Sequence, residues 1–255
     1  MPGCILIGGV GQLLQGDLDL GRLAADALAT EDLGTHVLVE ELHYGAVAVA
    51  QRLQELDPIG LILIGATEVQ APAGAKTGAV RRRRVRPRPV DPVAAQVAIS
   101  EAGTGYVGID LIIDVARALE ALPARTVVIE VDPVTVGPGL DLSTPARTSL
   151  GRAVASARDE AMRLPMLDVA DRLRLHLAES RLEEPRRALG TTAHLLDQLD
   201  VLDAHGEWGQ TYRWRDRLRH DMAADIAADD GDRAGWGLGW QLIEALDQLE
   251  AAGAG

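Results

Sequence analysis

Short apolar runs alternate with stretches of helical spacing over the first 165 residues of the chain. Cys4-Ile5-Leu6-Ile7 reads as a first strand, which the glycines of Gly8-Gly9-Val10-Gly11 end. Leu20, Leu23, Ala24, Ala27 and Leu28 then fall three and four apart, the spacing of one helix face. Residues 35–40 predict a second strand and 46–56 a second helix. Gly60-Leu61-Ile62-Leu63-Ile64-Gly65 is apolar at every side chain, which places this third strand in the middle of a sheet covered on both faces. A Gly/Pro/Ala loop at 71–78 leads into a strand at 79–85 centred on Arg81 to Arg84, read as a solvated sheet edge. A helix at 109–119, a strand at 126–131 and a long helix at 145–163 complete the pattern. Strands and helices in this order predict the α/β class: a three-layer α/β/α sandwich with a mostly parallel sheet.

From Pro165 onward only helical spacing remains, at 167–182, 191–202, 214–228 and 238–249, with a break expected at 180–183. The boundary is therefore expected near Leu164-Pro165, giving an α/β domain over 1–165 and a small all-helical C-terminal extension over 166–255. The extension holds 18 acidic residues against 10 arginines, and all four tryptophans, Trp208, Trp214, Trp236 and Trp240. Tryptophans gathered this way build a small core or anchor a partner.

Composition narrows the function classes. A net charge of −13 argues against nucleic acid as a partner, because phosphate binding needs a basic surface. No apolar run reaches the ~20 residues of a membrane helix, and no secretory leader is evident, so the expectation is a cytoplasmic protein with no membrane partner. Cys4 is the single cysteine and forms no internal bridge. Lys76 is the one lysine among 25 basic residues and phenylalanine is absent, a composition that carries no mechanism.

Ligands of open parallel sheets bind beyond the carboxyl ends of the strands. Three clusters fall there: Gly9-Val10-Gly11-Gln12 through Gly16-Asp17-Leu18-Asp19-Leu20-Gly21, then Glu40-Glu41-Leu42-His43-Tyr44-Gly45, then Gly65-Ala66-Thr67-Glu68. The first is rich in glycine but lacks the G-x-G-x-x-G spacing of a dinucleotide loop, and Gly-x-Ser-x-Gly is absent from the chain. His176, His194, His205 and His220 are scattered through the extension and are assigned no metal role.

These segments resemble the nickel-iron hydrogenase maturation proteases. Gly9-Val10-Gly11-Gln12 is similar to the family's first glycine turn, and Gly16-Asp17-Leu18-Asp19-Leu20-Gly21 to the acidic glycine loop that follows it. Glu130-Val131-Asp132-Pro133, with Gly137-Pro138-Gly139-Leu140-Asp141-Leu142-Ser143 leading into a helix, resembles the end of the family's domain. The likeness covers residues 4–162 and leaves the extension unexplained. It implies an α/β/α domain that grips the hydrogenase large subunit and removes its C-terminal peptide, with a cleft at Gly9, Gly11, Gln12, Asp17 and Gly65. It also implies a nickel or zinc site built from two carboxylates and an imidazole.

The chain departs from the family at all three ligand positions. They fall on Leu18, on Gly65, and between Glu101 and Leu111, where no histidine occurs. Whether the chain is an enzyme is therefore open, and no cofactor is certain. One reading keeps the fold without the protease, as a binding or assembly protein that recognises the hydrogenase large subunit, its tail or another hydrogenase assembly protein. A second rebuilds the metal site for nickel or zinc from Asp17, Asp19, His43 and Glu68, leaving an active endopeptidase. A third is a non-catalytic small-molecule binder that holds an anion on the glycine loops.

Overall fold

The computed structural model describes residues 3–67, 78–86, 88–105, 107–179, 187–227 and 233–253. Glu68, all but the last residue of the loop expected at 71–78, and the break expected at 180–183 lie outside the described residues. The chain divides into two units, Met1–Ala161 and Met162–Gly255.

The first unit is an α/β fold around one five-stranded sheet. Its strands are β1 (Ile5–Val10), β2 (Val37–Glu41), β3 (Gly60–Ala66), β4 (Val80–Val85) and β5 (Thr126–Val131), in the order β2-β1-β3-β5-β4. The first four in that order are mutually parallel and β4 runs antiparallel along β5. The third strand occupies the central position, with Leu61 to Ile64 fully buried.

Alternation along the strands sorts the helices into two layers. Leu6, Val10, Leu61, Leu63 and Val128 face a core built with α2 (Ala46–Leu56), α3 (Pro92–Ala102) and α4 (Ile109–Ala118). Ile5, Ile7, Ile62, Ile64, Val127 and Ile129 are buried on the other face. That face carries α1 (Leu20–Ala29) and the first half of α5 (Thr144–Glu179). Helix α3 has no counterpart in the expected pattern, because only Ala98 of it is buried and it lacks an apolar stripe. Its local signal is Asp91, which caps the Val93 N–H at 3.0 Å, followed by Pro92 in the first turn.

Gly8 and Gly9, expected to end β1, lie inside it, and Gly11 follows it. A Cβ on Gly8 would meet Leu42 Cδ1 at 2.2 Å, and one on Gly9 would meet the Gly21 carbonyl oxygen at 2.3 Å. Gly21 answers on α1, where a Cβ would lie 2.1 Å from the Val10 oxygen and 2.3 Å from the Ile64 oxygen. These residues are small so that α1 can sit directly on the sheet. Gly21→Ala is expected to destabilise the fold by ~2–3 kcal/mol through overpacking against backbone that cannot move aside, checked by urea unfolding; an unchanged midpoint would contradict this packing.

The edge strand is less solvated than its arginines suggest. Arg81 pairs with the buried Asp132, Arg82 with the buried Glu160 at 2.6 Å, and Arg83 with Glu130 at 2.9 Å and Asp110 at 2.8 Å. Arg84 donates to the Val85, Thr126 and Ala124 carbonyls. Acidic residues on α4, on and just after β5, and on α5 thus absorb the basic run.

The helix expected to end at 163 runs on through Pro165. Helix α5 continues through it, with Ala157, Ala161, Leu164, Leu167, Ala170 and Leu173 all buried. In the second unit, burial of Leu164, Leu167, Ala170 and Leu173 offsets the ~3 kcal/mol that proline costs in a helix interior.

The second unit is helical among its described residues, with α6 (Arg187–His205), α7 (Thr211–Ala227) and α8 (Arg233–Ala251) around Leu167, Leu195, Leu199, Leu218, Leu242 and Leu246. Trp208, Trp214 and Trp236 are half-buried against this core, while Trp240 is 37% exposed. Arg163, Trp208, Tyr212 and Arg215 form a column in which the two rings stack at 5.0 Å between the two guanidiniums. Among the described residues no helix is long and apolar enough to cross a membrane.

Candidate functional site

The loops that leave β1 and β5 meet beyond the carboxyl ends of the strands. Gln15 bridges to Gly139 and Gly16 to Val136 as isolated pairs of extended backbone. The Gly139 N–H donates to the Leu14 oxygen at 2.9 Å, and the Asp17 N–H to the Thr135 oxygen at 3.1 Å. Gly16 adopts φ 59° at the crossing, a backbone that a side chain would strain.

Asp17 ties the two loops together. Its carboxylate is fully buried and accepts from the Val134, Thr135 and Ser143 N–H groups at 2.8, 2.9 and 2.7 Å, and from the Ser143 hydroxyl at 2.8 Å. Burial opposes its ionisation, yet the bonds from Thr135, Ser143 and Val134 outweigh that and hold its pKa below the ordinary carboxylate value. The loop after β5 is thus an anion cradle filled by the chain's own carboxylate.

Of the four residues proposed for a rebuilt metal site, the described three, Asp17, Asp19 and His43, each have a different local partner. Asp17 spends its lone pairs on the loop, and Asp19 is gripped by Arg22 at 2.6–3.1 Å. His43 lies half-exposed after β2 with Nδ1 3.4 Å from Glu41, and Glu68 is outside the described residues. Among the described residues no three of His, Cys, Asp and Glu gather around one point. Alternating carboxylates after a glycine turn suggested a shared target, whereas in three dimensions each is consumed by a different local partner.

The expected cleft also separates. Gly11 and Gln12 line a pocket of about 10 Å³ with Val10, Leu18, Ala66, Val107 and Ile109, and Gly65 adjoins it through Ile109. Gly9 instead faces α1, and Asp17 faces the 134–143 loop. Larger hollows of about 190 and 250 Å³ open around Arg88, Val90 and Arg117, near the start of β5. That is the amino end of the parallel strands, away from the glycine loops. Among the described residues, the Val134, Thr135 and Ser143 amides of the cradle already donate to Asp17 and are not open to a free anion.

One feature of the strand-end site escaped the sequence reading. Leu13 and Leu14 on the first loop are 56% and 55% exposed, and Val136 and Leu140 on the joined loop are 57% and 84% exposed. Leu14 adopts φ 63°, in a turn closed by the Gln15 N–H on the Gln12 oxygen. A leucine in this region costs about 1–2 kcal/mol where glycine or asparagine would not. The available signal was apolar residues at turn positions between glycines, which no folding rule requires.

No family model matches the chain, and no curated protein matches it. Solved structures similar to it include hydrogenase maturation proteases. A hydrogenase 2 maturation peptidase from Thaumarchaeota archaeon SCGC_AB-539-E09 is 23% identical, with 63% of this chain and 99% of that one covered at a TM-score of 0.45. The endopeptidase HybD of E. coli is 20% identical over 60% of this chain and 88% of its own, TM-score 0.41. The [NiFe] hydrogenase maturation protease HycI from Thermococcus kodakarensis KOD1 is 18% identical over 61% and 90%, TM-score 0.43.

Proposed function

We propose that the chain acts in nickel-iron hydrogenase assembly, recognising the large subunit or its C-terminal tail through the strand-end loops without cutting it. The segments that carry the family resemblance, Gly9–Gln12, Gly16–Gly21 and Gly137–Ser143, are in this structure the loops that cross one another beyond the sheet.

What carries the binding reading is the exposed apolar rim of Leu13, Leu14, Val136 and Leu140. Large apolar side chains held on hydrogen-bonded loops, one of them in an unfavourable backbone conformation, stabilise nothing in the isolated chain. Contiguous exposed apolar groups of this kind mark interaction surfaces. Recognition through such a rim needs no metal and no nucleophile.

The test is capture of a hydrogenase large-subunit precursor on the immobilised full chain. The wild type is expected to retain the precursor, and Leu14→Asp with Leu140→Asp to weaken retention by about 10-fold or more while leaving the circular dichroism spectrum unchanged. Equal retention by both proteins, or none by the wild type, would count against this reading.

A further inference from the structure

The resemblance assigns metal ligands to Leu18, to Gly65 and to the 101–111 segment, and the structure brings these positions to one place. Leu18, Val107 and Ile109 line the same pocket of about 10 Å³, and Gly65 lies against Ile109. We infer that this pocket takes no divalent metal and is instead an apolar plug that seats the first loop on the strand ends. The inference concerns the site of the proposed function but does not depend on the identity of its partner.

Donor chemistry is the first ground. Nickel and zinc take thiolate, imidazole or carboxylate ligands, and valine, leucine, isoleucine and alanine have no lone pair to give. Of the described side chains lining the pocket, only that of Gln12 carries a polar atom. The loop carboxylates do not make up the deficit, since Asp17 already accepts four hydrogen bonds and Asp19 is bound to Arg22.

Space is the second ground. A Cβ on Gly65 would lie 2.8 Å from both Ile109 Cδ1 and the Val10 carbonyl oxygen, so no ligating side chain fits there unless Ile109 and the strand shift. The volume corresponds to roughly one water molecule, too little for an ion together with the water or carbonyl it would activate. The departure is thus a coordinated repacking of three segments and not the loss of one ligand.

The experiment is equilibrium dialysis of the full chain against Ni²⁺ or Zn²⁺ alone, with bound metal read by elemental mass spectrometry and the melting midpoint read in parallel. The wild type, which carries Glu68 and His43, is expected to bind no stoichiometric metal and to show no metal-dependent shift of the midpoint. Leu18→Asp, which restores one carboxylate, is expected to bind none either, because the other donors are missing. One metal per chain in the wild type, or its appearance in Leu18→Asp, would overturn the inference. A metal-loaded wild type that still captures the hydrogenase precursor would sink the plug and leave the recognition reading intact; a metal-free protein that captures nothing would do the reverse.

Discussion

Replacing Asp17 by alanine is expected to lower the stability of the α/β unit by ~3–5 kcal/mol, the range for removing one partner from a buried, charge-assisted network. The substitution strands three backbone N–H groups and the Ser143 hydroxyl, all aimed at a carboxylate that is 0% exposed. This side chain ties the two loops together alongside their backbone bridges, so the loss reaches the rim as well as the fold. Far-UV circular dichroism in urea gives the stability, and hydrogen exchange at Val134, Thr135 and Ser143 gives the site. Tryptophan emission is a poor probe of this loss, because all four tryptophans lie at residues 208–240. A loss below about 1 kcal/mol would mean the loops do not depend on Asp17.

The same residue fixes a pH dependence. Its native pKa lies below its unfolded value of ~3.9, so the native state gains from its ionisation. That gain is complete above the unfolded value and is lost as pH falls through the lower native value. The stability difference between wild type and Asp17→Asn should therefore be constant at neutral pH and shrink in the acid range. Glu31, whose pKa is lowered by the bidentate Arg158, acts in the same direction, so the variant keeps part of its acid sensitivity.

The second large effect belongs to the edge strand. Arg82→Met is expected to cost ~3–5 kcal/mol, because it takes the guanidinium from a Glu160 side chain that is only 2% exposed. Adding Glu160→Leu removes the buried charge that Arg82 offsets and is expected to recover most of the loss in the same urea titration. A double variant no more stable than Arg82→Met would show that the pair holds β4 to α5 by more than charge compensation. The contrast with Arg81 is informative: its partner Asp132 is equally buried, but Arg81 itself is 49% exposed and so more readily replaced by water.

Much of the scaffold is readable from the chain because its signals are local. Apolar runs such as Leu61 to Ile64 and the helix of 46–56 need no knowledge of what they touch. The misreadings arise where a distant contact decides. Gly8 and Gly9 look like a strand terminator but are small for the sake of Leu42 and Gly21, and Pro165 looks like a helix end but lies inside α5. The site divides in the same way. Leu18 and Gly65 are visibly unsuited to metal in the sequence, whereas the partners of Asp17 lie at 134–143 and no spacing rule links them. The exposed leucines were hidden for a further reason: apolar residues in loops are ordinary in a sequence, and only their joint exposure on crossed loops distinguishes them.

The central question for this protein is whether recognition occurs without cleavage. Intact-mass analysis of a nickel-loaded hydrogenase large-subunit precursor, after incubation with the full chain and recovery of the complex, tests this directly. The expected result is a precursor of unchanged mass that co-purifies with the protein. A precursor shortened by its C-terminal peptide would contradict the account, and it would return the search for a catalytic centre to His43 and Glu68.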